Sequence, residues 1–298
     1  MSFMGRLRRL EGRYMRDING ARLGFKRAAL DIIHQNGVRM SSLEPLRNEV
    51  SVLRRNVADI SRRETPPLDE LVLWQMNQQL GLLRRAGERR LPTVQELALQ
   101  THAQRQEIYQ NTLSAGWVDT FQHSLETNFT RLAVSGADTS AAIDRLLSVG
   151  IADGRASAFR LSGAAAQTET GTSFWTAAIL AASGLFRAVR QRTQTEYMKQ
   201  AIAAIDNKTT DCCLRVHGQI QPLDRPFQLD GTPRFSDEVD SPPFHWNCRS
   251  AQSLYTPAME GFGIPTEQMT SAAQAEMQAR EEMGGTVPIH PAHSTSGR

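Results

Sequence analysis

The chain has 298 residues, 40% hydrophobic, 22% charged and 6% aromatic, a balance that excludes a disordered or membrane protein and fits a soluble, largely helical one. Its formal charge of +3, from 34 basic and 31 acidic residues, points to no single partner class. The cysteines, Cys212, Cys213 and Cys248, are too few and too clustered for a secreted disulfide scaffold, so a reducing compartment is expected.

The length exceeds the usual size of one domain, and two structural units are expected. Lysine occurs only at Lys26, Lys199 and Lys208; the arginine excess fits either phosphate contact or the coding composition of the source. The N-terminus is basic and lacks an apolar core, so no signal peptide is expected. The most apolar run, Phe174 to Phe186, is about 13 residues, short of the roughly 18 needed to span a bilayer, and reads as a buried helix.

In chain order, Phe3 to His34 reads as a polar helix. Arg6, Arg8, Arg9, Arg13, Arg16, Arg22, Lys26 and Arg27 outnumber Glu11 and Asp17 there, making a basic arm suited to DNA or an acidic partner, or simply a solvated face. Beyond Asn36-Gly37, Ser41 or Ser42 caps a helix in which Leu43, Leu46, Val50, Leu53, Val57 and Ile60 recur at spacings of 3, 4, 3, 4 and 3. This heptad seam serves either a partner helix or an internal one. Thr65-Pro66-Pro67 is expected to end it, with a second helix from Leu68 to Arg85. Thr93 to Glu96 is a capping box that predicts a long helix toward Leu132, and Thr139-Ser140 opens another containing Ile143, Leu146 and Leu147. From Gly154 to Ala204 the composition shifts to small residues, and two further helices are expected.

From Asp206 to Pro257, prolines and short apolar pieces (LRV, FQL, SLY) predict short strands and loops, with Asp230-Gly231 as a hairpin turn. Such a module, about 50 residues long, struggles to build a core unaided. A polar helix from Thr266 to Met283 and a loose tail containing His290 and His293 close the chain. The expected fold class is therefore mainly α: a helical N-terminal region (1–150), a small α+β C-terminal module that a metal can staple (151–257), and a helix with a tail (258–298).

Zinc takes thiolate and imidazole ligands presented as close pairs on separate turns. Cys213 and His217, with Cys212 as an alternate, supply one pair, and His245 and Cys248 the other. Three readings stand open: a structural zinc knuckle, a buried cluster without metal, and a cysteine–histidine dyad. His245 and Asn247 also resemble a nuclease ribbon, with Asp224, Asp230, Asp237 and Asp240 as cation ligands. There is no phosphate loop, dinucleotide fingerprint, H-E-x-x-H or G-x-S-x-G motif.

The run from Tyr197 to Gly218, followed by PPFHWNCRS from Pro242 to Ser250, resembles the phage head-morphogenesis family, the Mu F-like minor head proteins. That family carries D-x-x-T-C-x-x-C-x-x-x-x-G and then P-P-x-H-x-x-C-R-C. Cys213, Gly218, Pro242, Pro243, His245, Cys248 and Arg249 stand at its positions, while Thr210 and Ser250 replace its first and last cysteines. RLSGAAAQTE, Arg160 to Glu169, resembles its arginine-threonine-glutamate helix. The resemblance covers about residues 150 to 256. It implies a non-enzymatic structural component of the virion, made in the host cytoplasm. It would be associated with the portal protein or major capsid protein, and with packaged DNA.

Overall fold

A computed structural model describes residues 2–113, 116–149, 151–152, 155–206, 209–229, 238–245, 248–260 and 266–283. The chain divides into two compact units that interleave in sequence rather than following the three consecutive regions expected. One comprises Arg9–Pro66 and Leu113–Ser173; the other comprises Met1–Arg8, Pro67–Thr112 and Phe174–Arg298.

The first unit is helical, built from α1 (Phe3–Asn36) beyond Arg9, α2 (Leu43–Arg85) up to Pro66, α5 (Gly116–Val134), α6 (Thr139–Leu147) and the start of α7 (Ala158–Thr193). A two-residue pairing of β1 (Ile151–Ala152) with β2 (Arg155–Ala156) completes it. All six seam residues, Leu43 to Ile60, are buried within the single chain, so the seam is an internal core stripe and not a surface for a partner helix. Each such side chain contributes about 1.5–3 kcal/mol on leaving water. The helix that carries the basic arm also has an apolar side. Tyr14, Ile18, Phe25, Ala29 and Ile33 form a buried stripe along α1, which is therefore a packed helix. Phe25 meets Phe121 of α5 edge-on at 5.1 Å, and Tyr14 shares a 2.8 Å hydrogen bond with Ser61.

Pro66-Pro67 does not end α2, which runs unbroken to Arg85. Proline removes an N–H and crowds the carbonyl four residues back. Here Pro66, with Arg62 and Arg63 a turn earlier, stands on the exposed flank, where water can satisfy the freed carbonyls. On the other flank Ile60, Glu64, Leu68, Leu71 and Leu80 keep the buried stripe continuous, and Thr65 Oγ1 donates to Ser61 O.

The second unit holds the rest of α2, then α3 (Val94–Gln100), α4 (His102–Thr112) and the remainder of α7. It also holds α8 (Asp211–Val216), α9 (Thr266–Glu282) and a three-stranded antiparallel sheet ordered β4 (Ile220–Pro222), β3 (Met198–Ile202), β7 (Ala251–Tyr255). A small ribbon pairs β5 (Phe227–Gln228) with β6 (Glu238–Val239). The capping box is present: Thr93 N donates to Glu96 Oε2 at 2.7 Å and Glu96 N to Thr93 Oγ1 at 3.2 Å. Thr93→Ala is expected to cost about 1 kcal/mol in urea unfolding, with m unchanged. The long helix expected after it is instead three. Thr101 leaves helical geometry (φ −104°, ψ 5°), and its hydroxyl returns to Leu97 O. Gly116 then opens α5 where Glu169 Oε1 accepts from Trp117 N at 3.0 Å; a Cβ on Gly116 would stand 2.9 Å from that oxygen.

The two helices expected between 154 and 204 are one, α7, followed by a strand. Gln194, with φ of 56°, breaks the helix, and MKQAI, helix-permissive by composition, is the central strand because it pairs with β7 in the register Met198↔Tyr255 to Ile202↔Ala251. α7 is long and apolar enough to cross a membrane by length and composition alone, yet 72% of its apolar window is buried inside the fold. LRV, expected as strand, lies in α8. The Asp230-Gly231 turn and the tail with His290 and His293 lie outside the described residues.

Pairing places Lys199, Ala201, Gln252 and Leu254 on one face of the sheet and Gln200, Ile202, Ser253 and Tyr255 on the other. The first face meets α7, where Gln252 Nε2 donates to Ser183 Oγ at 2.5 Å. The second meets the start of α9, where Gln200 Nε2 donates to Thr266 Oγ1 at 3.1 Å.

Candidate metal centre

Thr210 and Asp211 begin α8, Thr210 as an extended N-cap (φ −78°, ψ 161°) and Asp211 as the acid of the first turn. The Thr210 hydroxyl makes no capping bond. It is turned toward His245 Nε2, 2.7 Å away, and Cys212 Sγ, 3.2 Å away. Cys212 and Cys213 follow in the first turn of α8, both buried. From the other side of the module, a tight turn with Cys248 N donating to His245 O at 3.2 Å holds His245 and Cys248 together. Cys213 Sγ stands 3.1 Å from His245 Nε2 and 3.5 Å from Cys248 Sγ. The ligand atoms of Cys212, Cys213 and His245 all lie within 4.8 Å of one another.

The loop before α8 is clamped by three arginines. Asp206 receives both Arg249 terminal nitrogens, at 2.7 and 2.6 Å, and Arg8 Nη2 at 2.9 Å. Arg280 of α9 donates to the backbone carbonyls of Asp206, at 2.6 Å, and Thr209, at 2.8 Å. Phe227 and Phe244, edge-on at 5.8 Å, close the core beneath the cluster with Ala201, Val216 and Leu229.

Of the ligands expected, Cys213, His245 and Cys248 are brought together, and Cys212, expected as an alternate, stands beside Cys213 and His245. The places of the two adjacent cysteines on one short turn let both sulfurs reach inward. His217 is not part of the set. It caps the far end of α8, and its Nδ1 accepts from Ala203 N at 2.9 Å. The TTDCC stretch carried an unused helix-start signal, Thr then Asp, that would have placed both sulfurs near a helix N-terminus.

Hydrogen bonds from Cys213 and then His245 pull the Cys212 thiol down to about 5 against the opposing effect of burial. Burial alone would lower His245, but its bonds to Cys212 and Cys248 and their charges lift it to about 10. Cys248 is also pulled down, burial opposing while Cys213 and His245 prevail, and Cys213 is pushed up between its two neighbours. Without metal, these directions favour thiolate character at Cys212 and Cys248, a protonated His245 and a protonated Cys213. Zinc needs thiolates and a tetrahedral set whose sulfurs, about 2.3 Å from the metal, stand roughly 3.8 Å apart. The donor atoms of Cys212, Cys213 and His245 are close enough for a metal site, and Cys248 Sγ, 3.5 Å from Cys213 Sγ, stands beside that group.

In metal-free protein the cluster has a defined pH signature. Cys212 and Cys248, both held below the ordinary thiol range, leave the unfolded chain binding more protons up to about 9.0, even though folded His245 keeps one above 6.5, so stability rises with pH to that point. Above 9.0 the folded state holds the extra protons, on His245 up to about 10 and on Cys213, so stability falls. Thermal midpoints of chelator-treated protein should trace this maximum, and Cys212→Ala should lower its acid-side rise.

The void beside the cluster, lined by Thr210, Cys213, His245 and Arg249, measures about 10 Å³, room for about one water. Of the nuclease ligands expected, Asp224 and Asp240 border a different cavity, while Asp230, Asp237 and Asn247 lie outside the described residues. The basic residues of α1 are partly engaged: Arg8 with Asp206, Arg13 with Glu64 at 2.9 Å, Arg6 over Trp74 at 4.2 Å and Lys26 near Phe159 at 5.6 Å. Arg9, Arg16 and Arg27 are exposed. No family model matches the chain, and neither a curated protein nor a solved structure matches it.

Proposed function

We propose that the chain is a structural minor head protein of a tailed phage, acting in head assembly and DNA packaging or delivery at the portal vertex or inner capsid. The observation that supports this reading is a convergence. Residues carrying the resemblance come from two segments some 30 positions apart, and they meet pairwise: Asp206 with Arg249, Thr210 with His245, and Cys213 with Cys248. Even Thr210, where the family has cysteine, faces the cluster. In this reading Cys212, Cys213, His245 and Cys248 hold one structural zinc that staples the module, with Cys212 compensating for the cysteine that Thr210 replaces. A void of about 10 Å³ favours a structural over a catalytic role.

The test is co-expression with the portal and major capsid proteins of the same genome, followed by gradient purification of heads. The chain should co-sediment with particles in far fewer copies than the capsid protein. Its absence from washed particles would sink the reading.

A second reading, contact with packaged DNA, is favoured by one observation. Arg9, Arg16 and Arg27, separated by 7 and 11 residues, fall on one exposed line of α1. Three phosphate contacts give a log–log salt slope of about −2.7 in duplex binding. A flat salt response would exclude it.

A further inference from the structure

The sheet face bearing Lys199 and Gln252 borders, with α7, a second cavity of about 210 Å³ that is separate from the cysteine cluster. Lys199 is only 4% exposed, yet its ammonium donates just to Asp240 O and lies 5.0 Å from the centroid of Phe227. No carboxylate among the described residues forms an ion pair with it, and an ammonium has three donors to satisfy. Arg187 lines the same cavity, also without an ion-pair partner among the described residues. Two cations thus border one void, Lys199 buried and Arg187 exposed, and the Lys199 ammonium has donors left for an anion. Burial first, and Arg187 as well, lower the Lys199 pKa, with Asp240 and Asp224 opposing.

The same sheet face also carries an acceptor that lacks a donor. Gln252 is 2% exposed. Its Nε2 donates to Ser183 Oγ, whose own proton goes to Ile179 O, so the amide orientation is fixed and Oε1 is left with no partner. Asp224 and Asp240, both exposed, line the cavity too, which sets carboxylates beside the cations and disfavours a polyanion such as DNA. Leu180, Phe186 and Leu223 supply apolar wall. The volume falls below the roughly 300–1,000 Å³ of drug-sized pockets, which limits the ligand to amino-acid size.

We propose that this cavity binds a free apolar α-amino acid, its carboxylate held by Lys199 and Arg187 and its ammonium by Gln252 Oε1 with Asp224 and Asp240. The ligand must carry both charges: its carboxylate meets the two cations, and its ammonium meets the orphan acceptor and the carboxylates. The site is independent of the metal centre and of any role in the head.

Isothermal titration of the full chain near pH 7 with L-leucine, N-acetyl-L-leucine and L-leucinamide tests this. Leucine should bind saturably with a sub-millimolar Kd, and each analogue, lacking one charge, about tenfold more weakly or worse. Lys199→Met and Arg187→Gln should each weaken leucine by about tenfold, with circular dichroism reporting on the fold. Arg187 is exposed, so its variant keeps the test decisive if Lys199→Met fails to fold. The proposal is overturned if leucine gives no saturable heat up to about 10 mM, or if N-acetyl-leucine matches it, which would mean a plain anion site. Displacement of leucine by inorganic phosphate, or unchanged binding in Arg187→Gln, overturns it equally.

Discussion

Protein purified without added metal is expected to contain about one zinc per chain, and Cys248→Ala to lose both the zinc and the fold of the C-terminal module. The expectation follows from the donor set and from how little else holds the region. Between Asp206 and Tyr255 the described structure is a six-residue helix, strands of two to five residues, and a small core into which the cysteines themselves are packed. Metal-binding free energy there is folding free energy, and losing one of four ligands should cost about 3–5 kcal/mol by urea unfolding. His217→Ala is the informative control. Its imidazole is committed to Ala203 N, so that variant should keep its zinc. Elemental analysis giving well below one zinc, with Cys248→Ala costing no more than about 1–2 kcal/mol, would reduce the cluster to an ordinary buried core.

Asp69→Ala is expected to destabilise the second unit by about 3–5 kcal/mol. Arg105 is 1% exposed and donates to both carboxylate oxygens of Asp69, at 2.6 and 3.1 Å, to Ala98 O at 3.0 Å, and to Thr101 Oγ1. Tyr109 adds its hydroxyl to Asp69 Oδ1 at 2.8 Å. Removing the carboxylate leaves a guanidinium buried without a counter-charge, and that desolvation is the main part of the cost. The paired change Asp69→Leu with Arg105→Met should recover most of the loss, because both charges then leave together. A single-mutant loss below about 1 kcal/mol in urea titration would mean that water reaches Arg105 once Asp69 is gone.

What the sequence made legible here is local. The Thr93–Glu96 box, the Leu43–Ile60 stripe, the helix from Thr266 and the convergence of His245 with Cys248 each depend on residues within a few positions of one another. What it hid depends on distance along the chain. Pro66-Pro67 reads as a stop by local rules, and the continuous buried stripe on the other flank of α2 keeps the helix intact. MKQAI is a strand because of a partner some 50 residues later. The Asp69–Arg105 network joins α2 to α4, and no spacing announces it. For the centre, sequence spacing favoured His217 over Cys212, whereas the direction of the α8 turn decides in favour of Cys212. Lys199 gave no signal at all, since one lysine in a short strand is unremarkable until its burial is known.

The Arg8–Asp206–Arg249 cluster ties the first turns of α1 to the loop that aims both α8 cysteines, and Arg280 ties that loop to α9. The first turns of α1 and the α9 helix therefore act as guy-lines for the cysteine–histidine cluster. Removing residues 2–8 is therefore not a neutral change: it takes away the Arg8 bond to Asp206 and slackens, from a distance, the loop that aims both cysteines.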